Sequence, residues 1–515
     1  MKHELGQWPA KRSTGENKEA TIKRPVVSNS HIARWVPRGY AVVHASSPGT
    51  GLSDGCATTG GENEYTAPAA VVQWLCGRRA AYSERRDGEK VTADWCTGKV
   101  GMSGTSYNGT FALAGAMTGV EGLEVVVPIA PNTSYYHYYR SHGLVRSPFG
   151  YLGEDLDVLG EYIATGNPDN WKTNNKKQAA IYSQKNLDGA SGDRNQFWDD
   201  REMLPRMDKV KCAMLMSHGF NDWNVMPYHS TSIYAAARNK NLPVGLYMHQ
   251  GGHGGPPPMD IFNAWMSHFL FGVENDWDQG GKAWIVRAGD SRNKPTQYAD
   301  YPNPQSRNVV FGLGGDAPGI GSLRMISDAD NGVANNAKQP AKTETFTDNR
   351  DVSGAEMAAA EKSDHRLLFT TGTLTQPLHL SGTPSIRLTL QSDQPAANLS
   401  VWLVSLPWND AKDMKITDNL ITRGWADPQN HRSQYETDEL QPGKSYTLEF
   451  PLEPDDQIIP AGQQIGLMIF SSDSQFTVLP KPGNKLTVNI DSARLTLPIV
   501  GGKASVLDAI GTTEP

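Results

Sequence analysis

Only four cysteines, Cys56, Cys76, Cys96 and Cys212, are spread over 515 residues. They follow no metal-ligand spacing, and so few thiols exclude a disulfide scaffold; buried, reduced thiols in a cytoplasmic protein are expected. Long apolar runs are also missing. No stretch approaches the roughly 20 residues that cross a bilayer. The opening Met1-Lys-His-Glu-Leu-Gly-Gln7 has no apolar signal core, so neither membrane insertion nor secretion is expected. Basic runs are absent too. The formal net charge is −7, and Arg78, Arg79, Arg85 and Arg86 form a local cluster that reads as a solvated face, so nucleic acid is not an expected partner. The glycine-rich stretch Ser46–Gly55 lacks a Walker lysine and opens no dinucleotide fingerprint, which removes a nucleotide phosphate from the ligands it would take. No His, Cys, Asp and Glu cluster has metal spacing, so neither a metal nor a cofactor is expected.

What is present describes a loop-rich globular protein: 38% hydrophobic residues, 20% charged residues and 51 glycines. The length is too great for one core and predicts two or three domains. Residues 1 to about 30 are polar and without period, the pattern of irregular chain. Gly39–Ala45 is a short, apolar, β-branched run, which predicts a buried parallel strand. A helix is expected from about Pro68 to Gly77. Lys99, Val100 and Met102 end another buried strand, Ala112, Leu113, Ala114 and Ala116 favour a helix, and Leu123–Ala130 is the next strand. This alternation predicts a parallel sheet with crossover helices.

The texture changes between about Asn132 and Arg206. Tyr135, Tyr136, Tyr138 and Tyr139 crowd one segment, and Trp171, Phe197 and Trp198 are the main apolar anchors of the rest. A helical cap inserted over the C-terminal edge of the sheet is expected, where open α/β sheets place their ligands. The sheet resumes at Val210–Met216 and Pro243–His249, each followed by a helix, near 230–237 and 262–271. After about Asn275, short alternating runs such as Pro384–Leu390, Leu399–Val404 and Gln464–Phe470 predict an antiparallel β-sandwich. Residues from about Asp316 to Asp364 are polar and read as a surface excursion. The expected division is a polar segment 1–34, an α/β domain 35–278 with its cap at about 132–206, and a β domain 279–515.

Between the strand ending near Met102 and its helix sits Gly104-Thr105-Ser106-Tyr107-Asn108-Gly109. A serine on a sharp strand-to-helix turn needs small neighbours, and the turn lifts its hydroxyl above a helix N-terminus whose N–H groups can stabilise an oxyanion. A serine hydroxyl is a weak nucleophile and needs a base, which needs an orienting carboxylate. In an α/β-hydrolase the partners follow in the order serine, acid, histidine, each after a strand. Ser106, Asp222 and His253 stand in that order, each just past a strand. Taken singly, Asp222 could be a helix N-cap and His253 a surface histidine. His218 and His249 are competing histidines, but His218 precedes the acid and His249 closes its strand and packs.

Gly98–Thr110 and the segments Tyr138–Pro148, Gly153–Leu159, Ser191–Trp198 and His218–Val225 closely resemble the bacterial Xaa-Pro dipeptidyl-peptidases. These share an α/β-hydrolase branch with cocaine esterase and the α-amino acid ester hydrolases. The branch's elbow reads Gly-x-Ser-Tyr-x-Gly, which Gly109 fits. The resemblance covers roughly residues 35 to 500 and implies an α/β-hydrolase fold with an inserted helical cap, followed by an all-β jelly-roll domain of galactose-binding-like type. It implies Ser106 as nucleophile, His253 as general base and acid, Asp222 as the orienting acid, and the Tyr107 N–H as an oxyanion donor. The substrates it implies are peptides with proline at the second position. Tyr135, Tyr138, Trp223 and Val225 would line an apolar proline pocket, Asn224 would hydrogen-bond the substrate backbone, and Glu154 would hold the free α-ammonium. Glu154 read alone is equally a helix N-terminal acid. Family members carry a longer N-terminal region, with further strands, an oxyanion-hole tyrosine and in some a dimerisation domain, so an N-terminally short member is expected, with a homodimer left open. An esterase of the same fold, and an inactive homologue that binds a partner through its β domain, are the alternative readings.

Overall fold

A computed structural model describes residues 6–7, 27–164, 171–277, 281–287, 289–315, 319–326, 341–409, 419–480 and 482–510. Two sheets organise the chain. The first consists of β1 (Val100–Thr105), β2 (Leu123–Ile129), β3 (Ala213–Gly219), β4 (Val244–His249), β5 (Ala283–Ile285) and β6 (Thr296–Tyr298), in the spatial order β6-β5-β4-β3-β2-β1. β1 to β5 run parallel and β6 returns antiparallel. The helices that bear on the site are α1 (Glu62–Leu75), α2 (Tyr107–Ala116), α3 (Tyr135–Tyr139), α4 (Leu156–Ile163), α5 (Tyr228–Asn239) and α6 (Met259–Phe271).

Apolar β2 and β3 are buried on both faces, as central parallel strands must be. Their alternate residues part to opposite sides. Val126, Met214 and Met216 pack with Leu113 of α2 and Ile233 of α5. Val125, Val127 and Leu215 pack with Phe262 and Trp265 of α6. Each fully buried side chain of this size contributes roughly 1.5–3 kcal/mol. The sheet is thereby held rigidly from both faces, and the loops at its C-terminal edge have a firm base.

Several expectations need correcting. Gly39–Ala45 is not a buried strand: its residues are largely exposed and lie outside every sheet. Among the described residues β1 is an edge of the sheet, with Ser103 and Thr105 exposed. The segment is tied down by Tyr40 instead, which stacks on Phe271 at 4.7 Å between ring centres and meets Trp35 edge-on at 5.3 Å. Its β-branched residues had signalled a strand, yet a strand forms only where a neighbouring edge pairs with it. α1 begins at Glu62, six residues before Pro68, which sits inside the helix. The first sheet extends beyond residue 278, because β5 and β6 join it. The stretch 316–364 is not only a surface excursion: Thr343–Thr347 is a strand, Gly354–Ala359 is a helix with a Ser353–Glu356 capping box, and Phe346 and Met357 are buried. Of residues 1–30, Gly6–Gln7 pairs with Leu479–Pro480 and Asn29 opens a helix; positions 1–5 and 8–26 lie outside the described residues, as does the Trp171 side chain.

Among the described residues the second sheet network contains twelve strands, including β7 (Leu399–Leu406), β8 (Leu420–Ala426), β9 (Asp455–Ile459), β10 (Gln464–Phe470) and β11 (Lys485–Val500). The long β11 pairs with Ser306–Gly314, Thr343–Thr347, Leu378–Gly382 and Ser385–Ser392, and so ties the network together. The fold is therefore an α/β-hydrolase domain followed by an all-β domain. The two meet in a shared apolar cluster: Leu144, Trp223 and Met226 pack with Leu368, Trp402, Trp425, Met468 and Phe476. Among the described residues no helix is long and apolar enough to cross a membrane.

Candidate active site

Ser106 lies between the end of β1 and the first turn of α2 with φ 60° and ψ −126°. A non-glycine residue held there costs about 1–3 kcal/mol. The surroundings enforce it. The Ser106 N–H donates to Ile129 O of β2 at 2.8 Å, which ties the turn to the sheet. A Cβ on Gly104 would stand 2.5 Å from the Asn108 carbonyl carbon, and one on Gly109 2.9 Å from both Gly104 O and Ile129 O. Only glycine permits that approach at either place. The Ser106 side chain makes no capping bond to α2, and the N–H of Tyr107, the first helical residue, has no partner inside the helix.

Asp222 lies in the loop after β3, and His253 in the loop after β4. The carboxylate is fully buried. Its Oδ1 accepts from the backbone N–H groups of Asn224 at 3.1 Å and Val225 at 3.0 Å. Oδ2 faces two histidines, His253 Nδ1 at 2.7 Å and His218 Nε2 at 3.2 Å. Burial alone would raise the Asp222 pKa. Hydrogen bonds from His218 and His253, with their charges, outweigh it and hold the carboxyl below its usual range. For His253 burial pulls downward, the bond and charge of Asp222 pull upward, and the net shift is upward. His253 remains about a third exposed, at 32%. Its loop passes the serine turn: a Cβ on Gly254 would stand 3.6 Å from Thr105 Cγ2. Neither competing histidine is open to a substrate. His218 is fully buried between Ser230 Oγ at 2.7 Å and Val225 O at 2.8 Å, and His249 is fully buried with both ring nitrogens engaged.

The remaining residues divide into groups. Tyr135, Tyr138 and Val225 share one buried cluster, against which Tyr107 packs. Trp223 does not join it; its ring packs towards the β domain, with the Arg423 guanidinium 4.4 Å from its centre. Asn224 Oδ1 accepts from the Tyr138 hydroxyl at 3.1 Å. Glu154, half-buried at the start of the α4 turn, accepts from the Tyr139 hydroxyl at 2.8 Å. Burial raises its pKa, the Tyr139 bond opposes this, Asp155 and Asp157 add to it, and the result is about 7.

Sequence reasoning overlooked Glu64. Its carboxylate, only 2% exposed, accepts from the N–H groups of Thr58 at 2.7 Å, Thr59 at 3.0 Å and Gly60 at 2.8 Å, and from the Tyr107 hydroxyl at 2.6 Å. It thus joins the loop before α1 to the residue after the serine. Its place in the first turn of α1 shows only in the structure, because the sequence predicts that helix from about Pro68 onward. Arg423 was invisible for another reason: it comes from the other domain. Among the described residues no group of three or more His, Cys, Asp and Glu could hold a metal ion.

Comparison with known proteins fits this geometry. Residues 6–255 match the family model for X-Pro dipeptidyl-peptidase (S15 family), and residues 275–506 match that for the X-Pro dipeptidyl-peptidase C-terminal non-catalytic domain. A protein of Rhodopirellula baltica named "Putative Xaa-Pro dipeptidyl-peptidase" is 52% identical over 504 residues, covering 97% of this chain and 79% of that protein. The Xaa-Pro dipeptidyl-peptidase of Lacticaseibacillus rhamnosus is 31% identical over 540 residues, covering 95% of this chain and 66% of its own length. A CocE/NonD family hydrolase from Staphylococcus aureus superposes with a TM-score of 0.63 at 15% identity, over 87% of this chain and 78% of that one, which supports the fold.

Proposed function

This chain belongs to the X-Pro dipeptidyl-peptidase family, S15, and we propose that it is a serine exopeptidase releasing Xaa-Pro dipeptides from free peptide N-termini through an acyl-enzyme. One observation carries the catalytic part: a serine on a strained turn, and a buried Asp222 carboxylate bonded to a partly exposed His253, emerge from strands of the same sheet edge. The pair fixes the tautomer. With its proton on Nδ1 toward Asp222, His253 offers the Nε2 lone pair as base. Ser106 Oγ attacks the proline carbonyl carbon while Nε2 takes the hydroxyl proton. The Tyr107 N–H holds the oxyanion, and the proton passes to the leaving amine as the peptide bond breaks. Water then attacks the acyl ester with His253 again as base, releasing the dipeptide and restoring Ser106.

Substrate choice rests on the surrounding groups. Tyr135, Tyr138 and Val225 supply an apolar wall for the proline ring; Trp223, packed towards the β domain, stands outside that wall. Asn224 serves the substrate backbone. Glu154 pairs with the α-ammonium, and its raised pKa suits a carboxylate that gains a cation on binding.

The assay uses Gly-Pro and Ala-Pro chromogenic anilides, an acetyl-blocked analogue, a simple ester and a Ser106→Ala control. Cleavage of only the free-amine anilides, abolished in the control, is expected. Good turnover of the ester with none of the anilides would overturn the peptidase reading in favour of an esterase. No turnover of any substrate, with no labelling of Ser106 by a serine-directed phosphonate, would favour a binding protein.

A further inference from the structure

The loop carrying His253 reads Gln250-Gly-Gly-His-Gly-Gly255, and four glycines in six residues give it no stiffness of its own. A general base needs the opposite, because misplacing it by about 1 Å costs orders of magnitude in rate. The loop is wrapped around one imidazole. His249, the last residue of β4, is fully buried. The N–H of Gly251 donates to its Nδ1 at 3.0 Å, so Nδ1 is the bare nitrogen. The ring proton therefore sits on Nε2, which donates to Gly254 O at 2.8 Å. These two bonds grip the chain on either side of His253. The glycines are what the wrapping requires: a Cβ on Gly251 would stand 2.9 Å from Nδ1, and one on Gly255 would overlap Nε2. Arg292 Nη2 stands 2.8 Å from Nδ1 and 3.0 Å from Nε2.

We infer that His249 is a positioning residue for His253: its buried imidazole is the template that holds the Gln250–Gly255 loop in the course that brings His253 to Asp222. The inference rests on the reading of His253 as the base. One neutral imidazole tautomer presents an acceptor and a donor at once. An apolar residue of the same shape would leave the Gly251 N–H and the Gly254 carbonyl without these partners. The tautomer is well kept. Burial and then Arg292 push the His249 pKa down, the bond to Gly254 opposes them, and it lies at about 4. The remaining groups acting on His249 are His218 and Asp222; on His253 it is Asp222.

The test compares wild type, His249→Phe, His249→Asn and His253→Ala on an Ala-Pro anilide, with active sites counted by phosphonate titration. His249→Phe is expected to lower kcat per titrated site by about 10–100-fold with little change in KM. The acid limb of its kcat/KM profile should move to lower pH, because a His253 that drifts from Asp222 loses the interactions that raise its pKa. His249→Asn, which can keep an acceptor toward Gly251, should recover about fivefold or more over His249→Phe. If His249→Phe does not fold, the same readings on His249→Asn, taken against wild type, decide. A merely structural His249 would lower the fraction of titratable sites and leave per-site kcat and the acid limb unmoved. That result, with His253→Ala inactive, overturns the positioning role alone. An active His253→Ala overturns the base reading, and this inference falls with it.

Discussion

Three glycines around Ser106 should respond to alanine in an order set by what the new methyl meets. At Gly104 it would lie 2.5 Å from the Asn108 carbonyl carbon and oxygen, about 0.9 Å inside the 3.4 Å at which ordinary contact begins. At Gly109 it would lie 2.9 Å from Gly104 O and Ile129 O, about 0.5 Å too close. Both sets of obstacles are chiefly backbone, so α2 must move away from β1 and β2. Overpacking of this kind costs about 1–3 kcal/mol, with Gly104→Ala at the upper end. In a domain of this size that lowers Tm by roughly 2–12 °C. At Gly101 the methyl would meet Met266 Cε at 2.7 Å, Leu270 Cδ1 at 3.1 Å and Met266 Sδ at 3.2 Å, all ends of flexible side chains on α6. Gly101→Ala should therefore stay within about 1 kcal/mol of wild type. Activity should separate the sites further, because moving α2 moves Ser106 and the Tyr107 N–H together. We expect kcat on Ala-Pro anilide to fall about 100-fold in Gly104→Ala, about 10-fold in Gly109→Ala and less than about threefold in Gly101→Ala. Thermal melts and active-site-normalised kinetics on the three variants give both readings. A Gly104→Ala protein with wild-type Tm and kcat, or Gly101→Ala as the worst of the three, would refute the close-approach account of the turn.

Asp222→Asn removes the charge that raises the His253 pKa and puts an amide beside two imidazoles, so kcat should fall by about 10³–10⁴ with KM little altered, as read by steady-state kinetics. In wild type the acid limb of kcat/KM should have its midpoint above the ordinary histidine value of 6.5, since His253 must be neutral to act and its pKa is raised; a midpoint below 6.5 would contradict the pairing. The stability carried by that raised pKa is present at low pH and lost as pH climbs through it, so chemical denaturation should show the His253 contribution shrinking above that midpoint. Glu154→Gln should raise KM for free-amine anilides about 10-fold or more and leave the phosphonate labelling of Ser106 unaffected. In wild type the same KM should fall as pH rises through about 7, the Glu154 pKa, because only the carboxylate pairs with the ammonium. Arg423→Met leaves Trp223, Trp402 and Phe476, all within 4.6 Å of the guanidinium, without their cation and should raise KM for Xaa-Pro anilides while lowering Tm.

The parts of this molecule that were legible in sequence are those whose cause is local. The apolar runs of β2, β3 and β4 announced buried parallel strands, since a strand covered on both faces has no polar positions. The small residues around Ser106 announced a tight turn, and the order Ser106, Asp222, His253 needed only strand ends to be placed. Gly39–Ala45 failed because pairing is a property of two segments and one segment was in view. Pro68 misled because proline favours a helix's first turn. The grip of Glu64 on Thr58, Thr59 and Gly60 starts α1 six residues earlier. The Arg423–Trp223 contact spans 200 residues and two domains, so no window along the chain contains it. His249 was read as packing. Its two directed bonds depend on a loop that curls back upon it, which strand periodicity does not encode.

Besides the packing of Met226, the domain that matches a C-terminal non-catalytic family touches the proposed catalytic loops at these points among the described residues. Arg423 covers Trp223, the residue after Asp222. The half-buried Glu453 carboxylate accepts from the Tyr228 N–H at 3.2 Å, where the acid loop enters α5. Asp456 O accepts from Gln250 Nε2 at 2.9 Å, at the start of the His253 loop, and Asn221 Nδ2 donates to Gln250 O at 3.0 Å, joining that loop to the one bearing Asp222. Each contact is a single bond or ring face worth about 1 kcal/mol on its own. Their placement matters more than their sum. The acid loop and the base loop both follow strands fixed by the α/β core, but each also carries a contact to the same neighbouring domain. The Asp222–His253 pair, 2.7 Å apart, is therefore flanked on both of its loops by contacts from the β domain. Non-catalytic then describes where the proposed reacting atoms lie, while the loops that bear the proposed acid and base touch both domains.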